Sequence, residues 1–301
     1  MSNWEEKYLT DFANLNYGDN LPSSLLKPFG FRVFGANGYI GYNDTFNIDK
    51  KTVLISCRGE YSGAINIVPE KTFVTNNSIL VNLKSDDIDT TFIYYKLHTL
   101  NKALIVSGSA QPQVTIIDLK RVTLKLPRPA EQQHIAKILS TADGVIEKTQ
   151  AAIAKYKAIK QGMLHDLFTR GIDLNTNKLR PRYQDAPELY KESKLGMIPR
   201  EWDVDVMDTY VSFLRSGLSR LLSDENIGIP VMISGNIQES RFDFSNLKYW
   251  YIDDPQGADT NSYKLTIGDI LICFINSLDQ IGKSAIFEGF KRDVIYTTNL
   301  L

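Results

Sequence analysis

Cysteine is scarce: Cys57 and Cys273 are the two in 301 residues, and each sits inside an apolar run, Leu54-Ile55-Ser56-Cys57 and Leu271-Ile272-Cys273. A disulfide framework is excluded, and both read as small core residues of a reducing compartment. Long hydrophobic stretches are also missing, since no window reaches about 18 uncharged apolar residues. The start, Met-Ser-Asn-Trp-Glu-Glu-Lys, lacks a basic region followed by an apolar one, so the expected location is the cytoplasm. Histidine is rare too. His98, His134 and His165 are far apart in the chain, which argues against one shared metal site.

An excess of one charge is absent: 34 Lys plus Arg face 35 Asp plus Glu, for a net charge of -1. That balance argues against a polyanionic partner until the distribution is read. Residues 1 to 117 hold 10 basic and 11 acidic side chains, 118 to 182 hold 13 and 6, and 183 to 301 hold 11 and 18. The basic middle, led in by Lys120, Arg121, Lys125 and Arg128 and led out by Arg170, Lys178, Arg180 and Arg182, suits either a solvated helix or a phosphate backbone.

What is present is a globular composition, 43% hydrophobic, over a length that predicts two domains. Between Glu131 and Phe168 no proline occurs, and Ile135, Ala142, Thr149, Tyr156 and Met163 recur at seven-residue spacing. A second row, Ile138, Val145, Ala152 and Ile159, with Leu139, Ile146, Ile153 and Leu167 beside it, completes the apolar face of a long helix that packs on another helix. Arg170-Gly171 supplies its basic last turn and terminating glycine. The flanks turn strand-like: Phe31 to Phe34, Thr52 to Ser56, Ser78 to Asn82 and Val114 to Ile117 read as strands, with a helix expected from Asp89 to Leu104. The stretch after Gly171 has the polar, proline-bearing character of a linker.

The flanks also repeat each other. The run from Thr52 to Leu80 lies over Asp269 to Leu301, both reading strand, glycine-bearing turn, strand, charged turn and a strand opening on Thr and Asn. Each copy begins near a tryptophan, Trp4 and Trp202. On this alignment Leu301 corresponds to about Leu80, and the second copy lacks counterparts of residues 81 to 127 and of the long helix.

A domain, a long amphipathic helix and a second copy of the domain resemble the specificity subunit of type I restriction-modification enzymes. Four stretches carry the resemblance. They are Phe34-Gly-Ala-Asn-Gly-Tyr-Ile-Gly-Tyr42; Gly108-Ser-Ala-Gln-Pro-Gln113 with Asp118 and Leu126-Pro127; Glu131-Gln132 with Ile135, Leu139 and Asp143, closing on Lys160 to Gly171; and Gly196-Met-Ile-Pro-Arg-Glu-Trp202. The implied fold is α+β: a first target-recognition domain over 1 to 128, a central coiled-coil-forming helix over 129 to 171, a linker over 172 to 194, and an incomplete second recognition domain over 195 to 301. The resemblance implies a non-catalytic reader of double-stranded DNA with a bipartite target. Two modification subunits would methylate adenine and restriction subunits would cleave. S-adenosylmethionine, ATP and Mg belong to those partners, and none is expected on this chain.

The residues agree with a non-catalytic reading. No Asp/Asn-Pro-Pro-Tyr/Phe tetrapeptide occurs, so the motif that holds a flipped adenine in amino-methyltransferases is missing. Gly35, Gly38 and Gly41 lack dinucleotide spacing and read as a turn. Glu192-Ser-Lys194 lacks an upstream strand carboxylate for a nuclease site. For DNA contact the first domain offers Arg32, Asn37 and Tyr39, then Arg58 and Tyr61, then Ser107, Ser109, Gln111 and Gln113, all in or beside turns. Tyr61 has a competing role as a core aromatic. Arg241, Asn276 and Lys283 are the second domain's candidates. For helix pairing the set is Ile135, Ile138, Leu139, Ala142, Val145, Ile146, Ile153, Tyr156, Ile159, Met163 and Leu167. Three alternatives stay open: a truncated chain that pairs with a second copy and reads a half-site, an assembly or decoy protein that binds modification subunits without productive DNA reading, or a fragment of a longer subunit.

Overall fold

The computed structural model describes residues 4 to 108 and 111 to 301. They divide into two compact units, Met1–Asp166 and Leu167–Leu301.

In the first unit β1 (Glu5–Tyr8), α1 (Leu9–Phe12), β2 (Ala13–Tyr17), β3 (Phe31–Phe34), β4 (Tyr39–Asn43), β5 (Thr52–Ser56), β6 (Ile65–Val68), β7 (Phe73–Val74) and β8 (Ser78–Leu83) precede α2 (Thr90–His98), α3 (Ile116–Leu119) and β9 (Thr123–Leu126). Two sheets result, β2-β8-β5-β6 and β4-β3-β7, with β3 and β7 parallel, and β1 pairs with β9. The apolar run of β5 is explained by its place in the middle, because a strand covered on both faces loses the polar half of its alternation. Val53 and Ile55 face a core closed by Phe92, Ile93 and Leu97 of α2, Leu119 of α3 and Leu124 of β9, while Leu54 faces Phe34, Ile48, Val68 and Val74. Burying each such side chain contributes about 1.5–3 kcal/mol.

Two local expectations fail here. Val114 to Ile117 is not a strand. Thr115 Oγ1 accepts from Asp118 N at 3.2 Å while Asp118 Oδ2 accepts from Thr115 N at 3.0 Å, and this capping box turns residues 116 to 119 into a helical turn despite the β-branched run. The helix expected from Asp89 to Leu104 stops at His98, and Asn101 starts a separate short turn by accepting from Ala103 N at 3.1 Å. Asp89 is its N-cap, accepting from Phe92 N at 2.7 Å.

The long helix, α4, covers Pro129–Arg170, 42 residues or about 63 Å at the standard rise. Proline suits its first position, where no helical N–H is needed. Its start is tied to the first unit by buried Gln132, whose Nε2 donates to Pro127 O at 2.9 Å and whose Oε1 accepts from Asp89 N at 3.1 Å. Trp4 Nε1 donates to Glu131 Oε1 at 3.0 Å, and Tyr95 OH donates to Asp143 Oδ2 at 2.6 Å. Burial, then that hydrogen bond, pushes the Tyr95 phenol well up from its ordinary value. Gly171, at φ 65°, ends the helix by donating to Leu167 O at 3.1 Å.

In the second unit the stretch after Gly171 is more than a linker. It forms hairpins from β10 (Ile172–Asp173) and β11 (Lys178–Leu179), then β12 (Tyr190–Ser193) and β13 (Gly196–Pro199). Tyr190, 3% exposed, anchors it by burying its ring and by donating its hydroxyl to Pro181 O at 2.5 Å, which composition alone does not disclose. Beyond it come β14 (Ile229–Met232), β15 (Ile237–Gln238), β16 (Arg241–Phe242), β17 (Lys248–Trp250), β18 (Ile270–Ile272), β19 (Ser284–Ile286) and β20 (Ile295–Tyr296). The sheet β17-β14-β20 and the hairpin β18-β19 enclose cores around Leu271, Cys273 and Val294 and around Val231, Trp250 and Ile295.

The hydrogen bonds repeat as the sequence does. Gly18 N donates to Ser78 O and Asp19 N to Val74 O; Gly217 N donates to Leu300 O and Leu218 N to Tyr296 O. Thr75 N reaches Phe34 O as Thr297 N reaches Met232 O. Ser56 N reaches Ala64 O as Cys273 N reaches Lys283 O. This register places Leu301 on Ile79, one residue from the alignment's estimate. It also explains two pairs of glycines. A Cβ would stand 2.4 Å from Thr75 O at Gly18 and 2.2 Å from Tyr296 O at Gly217, and 2.5 Å from Asn43 O at Gly30 and 2.3 Å from Trp250 O at Gly228. Any other side chain meets backbone there.

Candidate functional site

Three turns of the first unit gather where β3, β5 and β7 end and β8 begins. The first, residues 35 to 38, closes β3 onto β4 through Gly35 N to Gly38 O at 2.8 Å. The second, residues 57 to 64, joins β5 to β6. The third spans 107 to 113, where Ser107 and Gln113 exchange both backbone bonds at 2.8 Å.

The second and third turns are fastened together. Arg58 and Gln113 form an antiparallel bridge, Val114 N donates to Cys57 O at 3.1 Å, and the Ser62 hydroxyl, 7% exposed, donates to Pro112 O at 2.6 Å. Arg58, Tyr61, Ser107, Gln111 and Gln113 are exposed on this joined surface. Tyr61 is 50% exposed, which removes the competing role as a core aromatic. Ser109 lies outside the described residues.

The first turn adds Asn37 and Tyr39, with the Arg32 guanidinium 5.2 Å from the Tyr39 ring centroid, a cation–π distance. Asn37 joins Gly63, Ala64 and His98 around a cavity of about 210 Å³. Lys102, which the sequence reading passed over, lines the same cavity, and burial followed by the Lys102 charge pushes the His98 imidazole down. The nearest thiol offers no nucleophile. Cys57 is 1% exposed and burial pushes its pKa up, so the thiolate is disfavoured. No group of three or more His, Cys, Asp or Glu among the described residues is placed to hold a metal ion. What the turns present is guanidinium, amide and hydroxyl groups, the donors and acceptors that meet base edges and phosphates.

The second unit's candidates do not gather in the same way. Asn276 lies in the β18–β19 turn, the counterpart of the 57 to 64 turn, but its Nδ2 is spent on Ser234 Oγ at 2.7 Å. Lys283 donates to Gln280 Oε1 at 3.1 Å, and exposed Arg241 sits on the β15–β16 hairpin.

Along α4 the pairing candidates separate by environment. Ile135 is half-buried and packs against the first unit's own core, which withdraws it from an intermolecular seam. Leu167 is half-buried. Ile138, Leu139, Ala142, Val145, Ile146, Ile153, Tyr156, Ile159 and Met163 are exposed, Tyr156 by 70%. No helix among the described residues is long and apolar enough to cross a membrane.

Residues 1 to 156 match the family described as the type I restriction modification DNA specificity domain. Over 114 residues the chain is 35% identical to a Methanocaldococcus jannaschii chain assigned as the MjaX type I restriction enzyme specificity subunit, covering 38% of this chain and 26% of that one. Over 200 residues it is 25% identical to the MjaVIII specificity subunit of the same organism, covering 62% of this chain and 44% of that one. The aligned chain thus spans less than half the length of these curated relatives. In three dimensions it resembles the crystal structure of a type I restriction-modification S subunit from M. genitalium, with a TM-score of 0.57, 19% identity, and coverage of 99% of this chain and 72% of that one.

Proposed function

Because the chain belongs to the family of type I restriction-modification DNA specificity domains, we propose that it selects the DNA sequence on which partner subunits act. It is itself non-catalytic in this reading. Two modification subunits supply adenine methylation with S-adenosylmethionine, and restriction subunits supply cleavage with ATP and Mg. The observation that supports the assignment is that the 57 to 64 and 107 to 113 turns are joined through the Arg58–Gln113 bridge while Asn37 of the 35 to 38 turn lines a cavity with Gly63 and Ala64, all within the matched residues. Selection from random DNA duplexes by the chain complexed with its modification subunits tests it. An enriched motif supports the reading, and subunit binding without enrichment supports the assembly or decoy alternative.

The exposed stripe of α4 suits pairing with a second long helix, and a second copy of the chain is one such partner. Nine apolar or small side chains along one helix, exposed among the described residues, suit a coiled-coil seam. A two-fold pair would read a symmetric target through two first units. Light scattering that gives one copy per complex, or an asymmetric selected motif, contradicts the pairing.

A further inference from the structure

The turn at residues 35 to 38 is held from beneath by a feature that no recognition role accounts for. Ser56 of β5 and Ser78 of β8 are direct cross-strand partners, and both are 0% exposed. Their hydroxyls donate upward to successive carbonyls of the turn: Ser78 Oγ to Gly35 O at 2.9 Å, and Ser56 Oγ to Ala36 O. The next residue is held as well, since Asn66 Nδ2 on β6 donates to Asn37 Oδ1 at 3.1 Å. Three consecutive turn residues are thus gripped by three strands of the underlying sheet.

A sheet does not need this to fold. In the second unit the register places Cys273 on Ser56 and Leu300 on Ser78, and both are completely buried without a hydroxyl. Leu300 is apolar there, and the Cys273 thiol donates to Ile275 O at 3.7 Å. Two serines buried at the end of β5 and the start of β8, beside Val-Leu-Ile and Ile-Leu-Val runs, forgo that packing, and each must find a partner to offset its desolvation. Both found the turn. The bond from Asn66 has a further effect: it fixes the Asn37 amide so that Nδ2 keeps its hydrogens for an outside acceptor.

We propose that Ser56, Ser78 and Asn66 form a clamp that preorganises the 35 to 38 turn for base contact, which makes the two buried serines positioning residues for sequence choice although neither can touch DNA. The inference rests on the DNA-reading assignment above. A turn fixed before binding loses less conformational freedom on the correct site, whereas non-specific binding to phosphates tolerates a looser one.

The test uses the full chain with its modification subunits and a double-mutant cycle. Ser78→Ala is expected to weaken binding to the selected motif about fivefold to tenfold, the size of one lost hydrogen bond. Binding to unrelated duplex should stay within about twofold. Adding Asn37→Ala to Ser78→Ala should cost almost nothing further, because both changes disable the same turn. Additive losses, or equal weakening on motif and unrelated DNA, overturn the clamp. If Ser78→Ala does not fold, Asn66→Ala, which changes a half-exposed side chain, is held to the same criteria. Failure of the unaltered chain to enrich any motif overturns the DNA-reading assignment and the clamp with it. An enriched motif that Ser78→Ala binds unchanged overturns the clamp alone.

Discussion

Val53 and Ile270 hold the same place in two copies of one strand pairing, Val53 opposite Ile67 and Ile270 opposite Ile286. Val53 is completely buried, whereas Ile270 is 57% exposed and Ile286 55%. In the first unit α2 and the segment around Val114, Leu119 and Leu124 cover that face. The hydrogen-bond register is the same in both copies although the exposure of this face differs. It depends on features common to both copies: the glycines at strand crossings, the parallel contact of β7 or β20, and the Thr-initiated turn after it.

The largest expected difference between the units comes from a charge at that position. Val53→Asp buries an unpaired carboxylate and should cost about 4 kcal/mol or more, unfolding the first unit. Ile270→Asp should stay within about 0.5 kcal/mol, as for an exposed site. Urea unfolding followed by hydrogen exchange in each unit reads both, and equal losses would break the comparison. Next in size are the glycines, where the units should behave alike. Gly18→Ala and Gly217→Ala each drive a Cβ into backbone carbonyls and should each cost about 2–3 kcal/mol. A neutral result at either would show that the close approach is not what selects glycine.

A smaller effect is confined to the second unit. The Arg220 guanidinium, with N–H groups of Gln256 and Ala258, holds the Asp254 carboxyl at about 2. Since that lies below the unfolded value of about 4, the contact contributes fully above pH about 4 and is lost as pH falls through about 2. Asp254→Asn should flatten the second unit's acid unfolding between those limits and leave the first unit's unchanged. Smallest in stability are Ile146→Asp and Ile153→Asp on exposed α4 positions, which should leave each isolated chain's melting within about 0.5 kcal/mol yet disrupt assembly seen by light scattering. Loss of motif choice with assembly intact would contradict that division of labour.

Strong periodicity made parts of this molecule legible. The seven-residue spacing of α4, the buried run of β5 and the repeat all show in the sequence because many residues express one pattern. Where a single side chain decides, the pattern misleads: the Thr115–Asp118 capping box overrides a strand-like run, and Tyr190 orders a polar stretch. The site divides likewise. Turn chemistry pointed to Arg58, Tyr61 and Gln113, but their convergence depends on Ser62 reaching Pro112, 50 residues away. Ser56 and Ser78 were visible as polar residues in apolar strands, a signal without meaning until their carbonyl partners are known.

In the proposed division of labour the turns of the first unit choose the DNA sequence while α4 serves assembly. Mapping adenine methylation in DNA from cells that carry the chain and its modification subunits, against the same cells with Arg58→Ala and Gln113→Ala together, tests it most directly. Methylation at one defined motif is expected for the unaltered chain and an altered or relaxed motif for the variant, with complex formation preserved. An unchanged motif in the variant would contradict it.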